Sequence, residues 1–255
     1  ARELGFLRMP RTELIPKDWG VLKLELQTKL QGHRGCVNTI SWNNEGTRLI
    51  SGSDDTTVRI WDPSTWSNVG LVDTGHSRNI FAAEFVPGSG DREIVSCGLD
   101  GEVRLSQTEG DGASRLLAEN EDMLLTVTFV PGFPSVFLTT QEDRTVRIFD
   151  LREKHGASED PPVLLSLRRA GSPSDLCFHP SRPSCFAIGC SDPIVRAYDL
   201  RMTPVHASTG RRLDSRVDEW AMFAPTGSVP PGTRYNSGEG PHTRQTFRQM
   251  AGSGG

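Results

Sequence analysis

The sequence predicts an all-β fold, a β-propeller of about four blades, and three observations predict it. The stretch SGSDDTTVRIWD, Ser51 to Asp62, reads as a strand, a tight turn and a second strand ending in Trp-Asp. A Gly-His pair, Gly32 and His33, stands upstream of it. The turn aspartates Asp55, Asp100, Asp143 and Asp192 then recur at spacings of 45, 43 and 49 residues. A period of about 40–45 residues with this punctuation marks a propeller in which each repeat supplies one four-stranded blade. A blade stack is a platform for binding, so the expectation moves away from catalysis.

The elements follow in order. An N-terminal extension covers 1–20 and the repeats cover 21–206, with blades at about 30–66, 73–108, 118–152 and 164–202. Before the first blade, Val21 to Gln27 alternates Leu22, Leu24 and Leu26 with polar residues, which predicts a half-buried strand. In closed propellers such a leading strand completes the last blade. The first blade offers Cys36 to Trp42, a turn at Asn43 to Gly46, Arg48 to Ser53, a turn at Asp54 to Thr56, and Thr57 to Trp61. The second has Gly75-His76, then Ile80 to Phe85, Glu93 to Gly98 and Val103 to Leu105. The third lacks a Gly-His pair and offers Leu124 to Val130, Val136 to Thr140 and Val146 to Phe149. The fourth offers Asp175 to Phe178, Cys185 to Gly189 and Ile194 to Tyr198.

Beyond the fourth blade the composition turns to Gly, Pro, Ser and Arg with no period, and 207–255 is expected to be a disordered tail. Propellers close with about four to eight blades, about seven being usual for the WD type that the Gly-His and Trp-Asp pairs mark. Four units therefore predict an incomplete ring, whose open arc exposes strand edges and an apolar inner surface.

Bulk composition narrows the partners. The 28 basic and 32 acidic side chains leave a net charge of −4, so neither nucleic acid nor an anionic membrane is favoured. No apolar run approaches the roughly 18–20 residues of a membrane span. The first twenty residues lack the apolar core and small-residue cleavage site of a secretory signal. Five cysteines, Cys36, Cys97, Cys177, Cys185 and Cys190, are an odd number scattered over the repeats. They fit reduced thiols in an intracellular protein, nuclear or cytoplasmic, better than a disulfide framework.

The segments LQGHRGCVNTISWN, SGSDDTTVRIWD, TGHSRNIFAAEFVP and CSDPIVRAYDLRM, between Leu30 and Met202, resemble the cullin-4-associated factors. Within that group they are similar to the nuclear-receptor-interaction-type members and to those combining WD with tetratricopeptide repeats. GHxGCVN followed by TGHxxNIF carries the resemblance, which covers about two-thirds of the chain. It implies a non-enzymatic substrate receptor of a cullin-4 RING ubiquitin ligase, docked on the ligase's damaged-DNA-binding-protein adaptor and holding an unidentified substrate protein.

The adaptor-binding feature that the resemblance implies is a repeat ending of aromatic-Asp-x-Arg. It occurs at Phe149-Asp150-Leu151-Arg152 and Tyr198-Asp199-Leu200-Arg201, in consecutive blades. A rim guanidinium can grip a carboxylate or carbonyls in bidentate fashion. The competing reading pairs Arg152 and Arg201 with Asp150, Asp199 or a neighbouring blade. The first repeat ends Trp61-Asp62-Pro63-Ser64 and the second Leu105-Ser106-Gln107, both without the arginine. A general WD-repeat scaffold in chromatin or transcription-cofactor assembly is the alternative function.

Remaining candidate chemistry reads as architecture. His33, Ser51, Asp55 and Trp61 form an expected hydrogen-bonded set in the first blade, and His76, Ser96 and Asp100 repeat it in the second. A nucleophile triad would occur once, whereas a set that recurs pins turns and satisfies buried polar groups. Cys177, His179, Cys185 and Cys190 are soft ligands close in sequence, but they lack the CxxC pairs of structural zinc sites. Neither a phosphate-binding GxxxxGK[ST] loop nor a strand-linked GxGxxG occurs. No cofactor, metal or catalytic residue is predicted. The basic pairs Arg168-Arg169 and Arg211-Arg212 read as solvated loop charge.

Overall fold

A computed structural model of the chain describes residues 25–110, 113–153, 161–201 and 221–223. They hold sixteen strands and no helix, grouped into four separate four-stranded antiparallel sheets, each a simple meander. The first sheet contains β1 (Val37–Trp42), β2 (Leu49–Ser53), β3 (Thr57–Asp62) and β4 (Ser67–Asp73). The second contains β5 (Ile80–Phe85), β6 (Glu93–Gly98), β7 (Glu102–Gln107) and β8 (Ser114–Glu119). The third contains β9 (Leu124–Phe129), β10 (Val136–Gln141), β11 (Thr145–Asp150) and β12 (Val163–Ser166). The fourth contains β13 (Pro173–His179), β14 (Arg182–Cys190), β15 (Val195–Asp199) and β16 (Ala221–Phe223). This is the propeller architecture that the repeat spacing predicts.

One local plan is executed four times. The first hairpin of every sheet carries a register shift near its far end, at Val37/Thr39, Ile80/Ala82, Thr140/Gln141 and Pro173/Asp175. The second hairpin of every sheet turns at the recurring aspartate, whose Oδ1 accepts a hydrogen bond from the amide two residues on. The donors are Thr57 at 3.1 Å, Glu102 at 3.2 Å, Thr145 at 2.8 Å and Ile194 at 3.4 Å. An Asx-turn of this kind presets the reversal. In the first three sheets the residue after the aspartate, Thr56, Gly101 or Arg144, adopts positive φ.

Alternating side chains give each sheet two apolar faces, and neighbouring sheets meet across three joints. Ile50, Val58, Ile60 and Val72 pack on Ile80, Ala83, Phe85 and Ile94. Ala82, Val95, Cys97 and Val103 pack on Leu124, Val127, Phe129, Phe137 and Phe149. Leu138, Val146 and Leu165 pack on Leu176, Phe186, Ile188 and Tyr198. The first strands β1, β5, β9 and β13 touch in succession, as the inner strands of a propeller do. Among the described residues no joint of similar extent links the fourth sheet back to the first.

Three expectations need amendment. The sequence locates three of the four strands expected in each blade, and the fourth strands β4, β8, β12 and β16 lie mostly beyond the expected blade ends. Each of these outer strands pairs with the third strand of its own sheet on one side only. The strand expected at Val21 to Gln27 does not form over its described part: Glu25, Leu26 and Gln27 are exposed coil. Residues 1–24 lie outside the described residues. In the expected tail, Ala221–Phe223 is a strand paired with β15, and the rest of 207–255 also lies outside the described residues.

Candidate functional site

The third strand of each sheet ends at the rim, and its last residues define the candidate docking surface. Cross-strand register makes Asp62, Gln107, Asp150 and Asp199 equivalent, since each follows the partner of Leu49, Ile94, Phe137 or Phe186. Two residues further on stand Ser64, Glu109, Arg152 and Arg201.

In the third and fourth sheets the arrangement repeats almost atom for atom. Arg152 Nε donates to both Asp150 oxygens at 3.0 and 3.1 Å, its Nη2 donates to Oδ2 at 2.6 Å, and its own amide donates to Oδ1 at 3.0 Å. Arg201 binds Asp199 through the same four bonds, with Nε at 3.0 and 3.2 Å, Nη2 at 2.5 Å and the amide at 3.0 Å. Ser135 and Ser184, absent from the sequence reading, give each aspartate a further hydroxyl contact. Their carbonyls also accept the Leu151 and Leu200 amides, both at 2.8 Å. The Arg152 side chain first, with the Ser135 hydroxyl helping, holds the Asp150 carboxyl below the usual carboxylate range. Arg201 does the same to Asp199, through its side chain first and its amide second.

The competing reading of the arginines therefore describes their resting geometry: each pairs with its own aspartate. Yet the two side chains stay 73% and 75% exposed. The pairing engages Nε and Nη2, so each aspartate acts as a splint for an exposed guanidinium. Phe149 and Tyr198 lie buried behind the clamps, with ring stacks onto Phe137 and Phe186 at 4.8 and 5.5 Å.

The other two rims differ. In the first sheet the Ser64 amide and hydroxyl bind Asp62 Oδ1 at 2.8 and 2.6 Å, and Asp62 Oδ2 accepts from Arg48 Nη1, ahead of the strand β2, at 3.1 Å. In the second, Gln107 turns to Glu93 at 3.0 Å, and the arginine position holds the exposed Glu109.

The histidine sets assemble on the opposite ends of the same strands. In the first sheet the Trp61 indole donates to Ser51 Oγ at 2.9 Å, Ser51 Oγ meets His33 Nε2 at 2.8 Å, and His33 Nδ1 meets Asp55 at 2.9 Å. The imidazole thus bridges Asp55 through Nδ1 to Ser51 through Nε2, which also lies 3.2 Å from the Ser51 carbonyl oxygen. Burial pushes the Asp55 carboxyl up, but the Arg34 amide, the Thr57 hydroxyl and His33 outweigh it and hold the group well below the usual range. In the second sheet Ser96 Oγ, His76 and Asp100 repeat the relay at 3.0 and 3.0–3.1 Å. Both serines are buried, and in the first sheet the indole occupies a lone pair of the hydroxyl.

The third and fourth sheets have no such histidine, and an arginine takes over its partner. Val-Arg recurs on the third strand of all four sheets, as Arg59, Arg104, Arg147 and Arg196. Arg196 grips Asp192 through Nη1 at 2.9 Å and Nη2 at 2.7 Å, and Arg147 Nη2 lies 3.8 Å from Asp143. This substitution was missed, although the repeated Val-Arg pair was a visible signal for it.

Metal chemistry finds no matching geometry in the cysteine cluster. Cys185 and Cys190 sit five residues apart on β14, about 16 Å along a strand, too far for one ion. His76, Asp100 and Glu102 are mutually close, but Asp100 and Ser96 engage the imidazole, and Arg104 engages Glu102. All five cysteines are free thiols. No helix among the described residues is long and apolar enough to cross a membrane.

Comparison with known proteins agrees with the repeat grammar. The family model for the WD domain, G-beta repeat, matches residues 24–62. WD and tetratricopeptide repeats protein 1 of Mus musculus is 34% identical over 218 residues, 84% of this chain and 32% of the relative. DDB1- and CUL4-associated factor 6 of Homo sapiens is 37% identical over 194 residues, 74% of this chain and 22% of the relative. Protein ALTERED SEED GERMINATION 2 of Arabidopsis thaliana is 36% identical over 223 residues, 76% of this chain and 29% of the relative. The chain thus spans about a fifth to a third of the length of these curated relatives. Four sheets of one plan, the matched repeat and this set of relatives place the chain among the WD-repeat proteins, with its similarity directed to the cullin-4-associated factor group.

Proposed function

We propose that the chain is a non-enzymatic interaction module, a substrate receptor of a cullin-4 RING ubiquitin ligase that docks on the damaged-DNA-binding-protein adaptor. One observation carries the reading: two matching aspartate-splinted guanidinium groups stand on consecutive sheets, three-quarters exposed, at the same rim. A splinted arginine loses little further freedom on binding and offers a planar donor edge to a carboxylate or to backbone carbonyls. A relative named for association with DDB1 and CUL4 supports the choice of partner. The histidine relays support the assignment to binding, since their repetition serves the turns of two sheets. The substrate protein would be held elsewhere on the propeller, with the complex inside the cell, in nucleus, cytoplasm or both.

The test is a pull-down of the purified adaptor by the chain and by the Arg152→Ala/Arg201→Ala variant. Buried arginines at interface centres cost about 2 kcal/mol or more on truncation, a loss of roughly thirtyfold in affinity each. The double variant should lose capture while keeping its β-sheet circular dichroism. Undiminished capture would remove the docking assignment and favour a general scaffold with different partners.

A further inference from the structure

The two sheets that carry the aspartate-splinted arginines share a second feature at the same rim. Register pairs Val136 with Asp150 and Cys185 with Asp199, so the turns just before them correspond residue for residue. They read Pro131-Gly132-Phe133-Pro134-Ser135 and Pro180-Ser181-Arg182-Pro183-Ser184. The matching turns of the first two sheets, Asn44 to Thr47 and Pro87 to Arg92, differ in length, lack the second proline and end without the serine. Across the four sheets, the Pro-x-x-Pro-Ser turn is present where the aromatic-Asp-x-Arg ending is present and missing where it is missing.

The serine accounts for one half of that coupling. Ser135 and Ser184 support the aspartates through their hydroxyls, and their carbonyls accept the Leu151 and Leu200 amides. The prolines have no such duty: all four, with the residues between them, are exposed. What they do is fix the backbone of the residue they enclose. Pro131 and Gly132, the latter at φ 86°, make a reversal that the Phe133 amide closes on the Val130 carbonyl at 3.0 Å. Pro134 restricts Phe133 from the other side, and the Val136 amide donates to the Phe133 carbonyl at 3.0 Å. In the fourth sheet the corresponding Arg182 amide closes on His179 Nδ1 at 3.1 Å. The Phe133 side chain is thus held 60% exposed on a braced backbone. The hydrogen bond from Leu151 to Ser135 ties that turn to Arg152.

A lone exposed apolar side chain is ordinary on a protein surface. One that is braced on both sides and tied to an exposed guanidinium is different, because aromatic residues and arginine are enriched together in interface cores. We propose, resting on the docking to the adaptor inferred above, that the Pro-x-x-Pro-Ser turn is the second half of the docking surface. Phe133 is its anchor and enters an apolar pocket on the adaptor, while Arg152, Arg182 and Arg201 meet carboxylates or carbonyls around that pocket. The braced turn has little backbone freedom left to lose on binding, which favours the contact.

Equilibrium titration of the full chain with the purified adaptor tests this, with Phe133→Ala and Arg152→Ala/Arg201→Ala measured beside the unaltered chain. Phe133→Ala should weaken binding about thirtyfold, the effect of truncating an interface hot spot. Because the ring is exposed, its thermal midpoint and β-sheet circular dichroism should match those of the unaltered chain. Full affinity in Phe133→Ala, with the arginine variant weakened, overturns the anchor and leaves the docking on the adaptor standing. Full affinity in the arginine variant removes that docking, and the anchor falls with it.

Discussion

Ser51, buried, and Glu84, half-buried, are polar residues with opposite consequences. Ser51 Oγ lies between an indole donor and an imidazole, so its desolvation is met by two partners and the site holds together two strands and a turn. Glu84 faces the joint between the second and third sheets, where its one resolved partner is the Phe129 amide at 3.4 Å. Burial pushes its carboxyl up to about 7, with that hydrogen bond pulling the other way. A carboxyl raised by folding holds its proton more tightly in the folded chain. Its contribution to stability is therefore full below the unfolded value of 4.5 and is lost as pH rises through about 7. At about 1.4 kcal/mol for each pH unit between those values, the ionised group costs about 3 kcal/mol by about pH 8. Glu84→Gln should leave stability unchanged near pH 5 and raise it by that order near pH 8, as urea midpoints at the two pH values would show. A variant no more stable at the higher pH would place the charge in a better-solvated setting than this one.

At the scale of the element, the aspartate turns separate what the sequence discloses from what it hides. The four turn aspartates are legible because an Asx-turn needs a short carboxylate at a fixed place, and the strand pattern on either side repeats with it. Left-handed backbone is less legible, because glycine, threonine and arginine all fill the same position: Thr56, Gly101 and Arg144 each have positive φ. Only geometry shows that they are not interchangeable. A Cβ on Gly101 would lie 2.0 Å from the Asn120 carbonyl oxygen, and the Gly101 carbonyl itself accepts the Asn120 amide at 2.8 Å. Gly101→Ala should therefore cost well beyond the roughly 1 kcal/mol of a left-handed residue alone, read as a lowered thermal midpoint. Thr56→Ala, already left-handed without that clash, should lose less, and equal losses would mean that backbone handedness alone sets the cost. The docking rim divides in the same way. The arginines were legible as a spacing after an aromatic-Asp pair, but their serine supports and the inverted charge at Glu109 became visible only once register made the four rims comparable. The outer strands were hidden for a different reason, since Ser67–Asp73, Ser114–Glu119 and Val163–Ser166 show no strict alternation of apolar and polar residues.

Across the whole molecule, stability is distributed as in a one-dimensional array, because each sheet packs mainly on its sequence neighbours. The three joints are unequal in kind. The first sets aliphatic side chains around a single phenylalanine, Phe85, whereas the second centres on Phe137, fully buried, with Phe129 at 5.4 Å and Phe149 stacked at 4.8 Å and 6°. Aromatic pairs of this type add about 0.5–1.5 kcal/mol each beyond their buried area. The second joint is therefore the seam through which the first pair of sheets is coupled to the last pair. Phe137→Ala removes both ring contacts and leaves a cavity, at a cost of about 3–5 kcal/mol. In a ring, a weakened joint is bridged from the far side; among the described residues no such bridge joins the first and fourth sheets, so the two halves uncouple. Equilibrium urea unfolding of Phe137→Ala should therefore broaden or split into two transitions. With Trp19 and Trp220 replaced by Phe, the fluorescence of Trp42, Trp61 and Trp66 in and beside the first sheet would report one half, and far-ultraviolet circular dichroism would report both. The same residue type at the end of the array makes the control, because Phe186→Ala should trim the last joint and leave the fluorescence transition in place. Coincident, equally steep transitions for Phe137→Ala by both probes would show that the four sheets fold as one cooperative unit despite their serial packing.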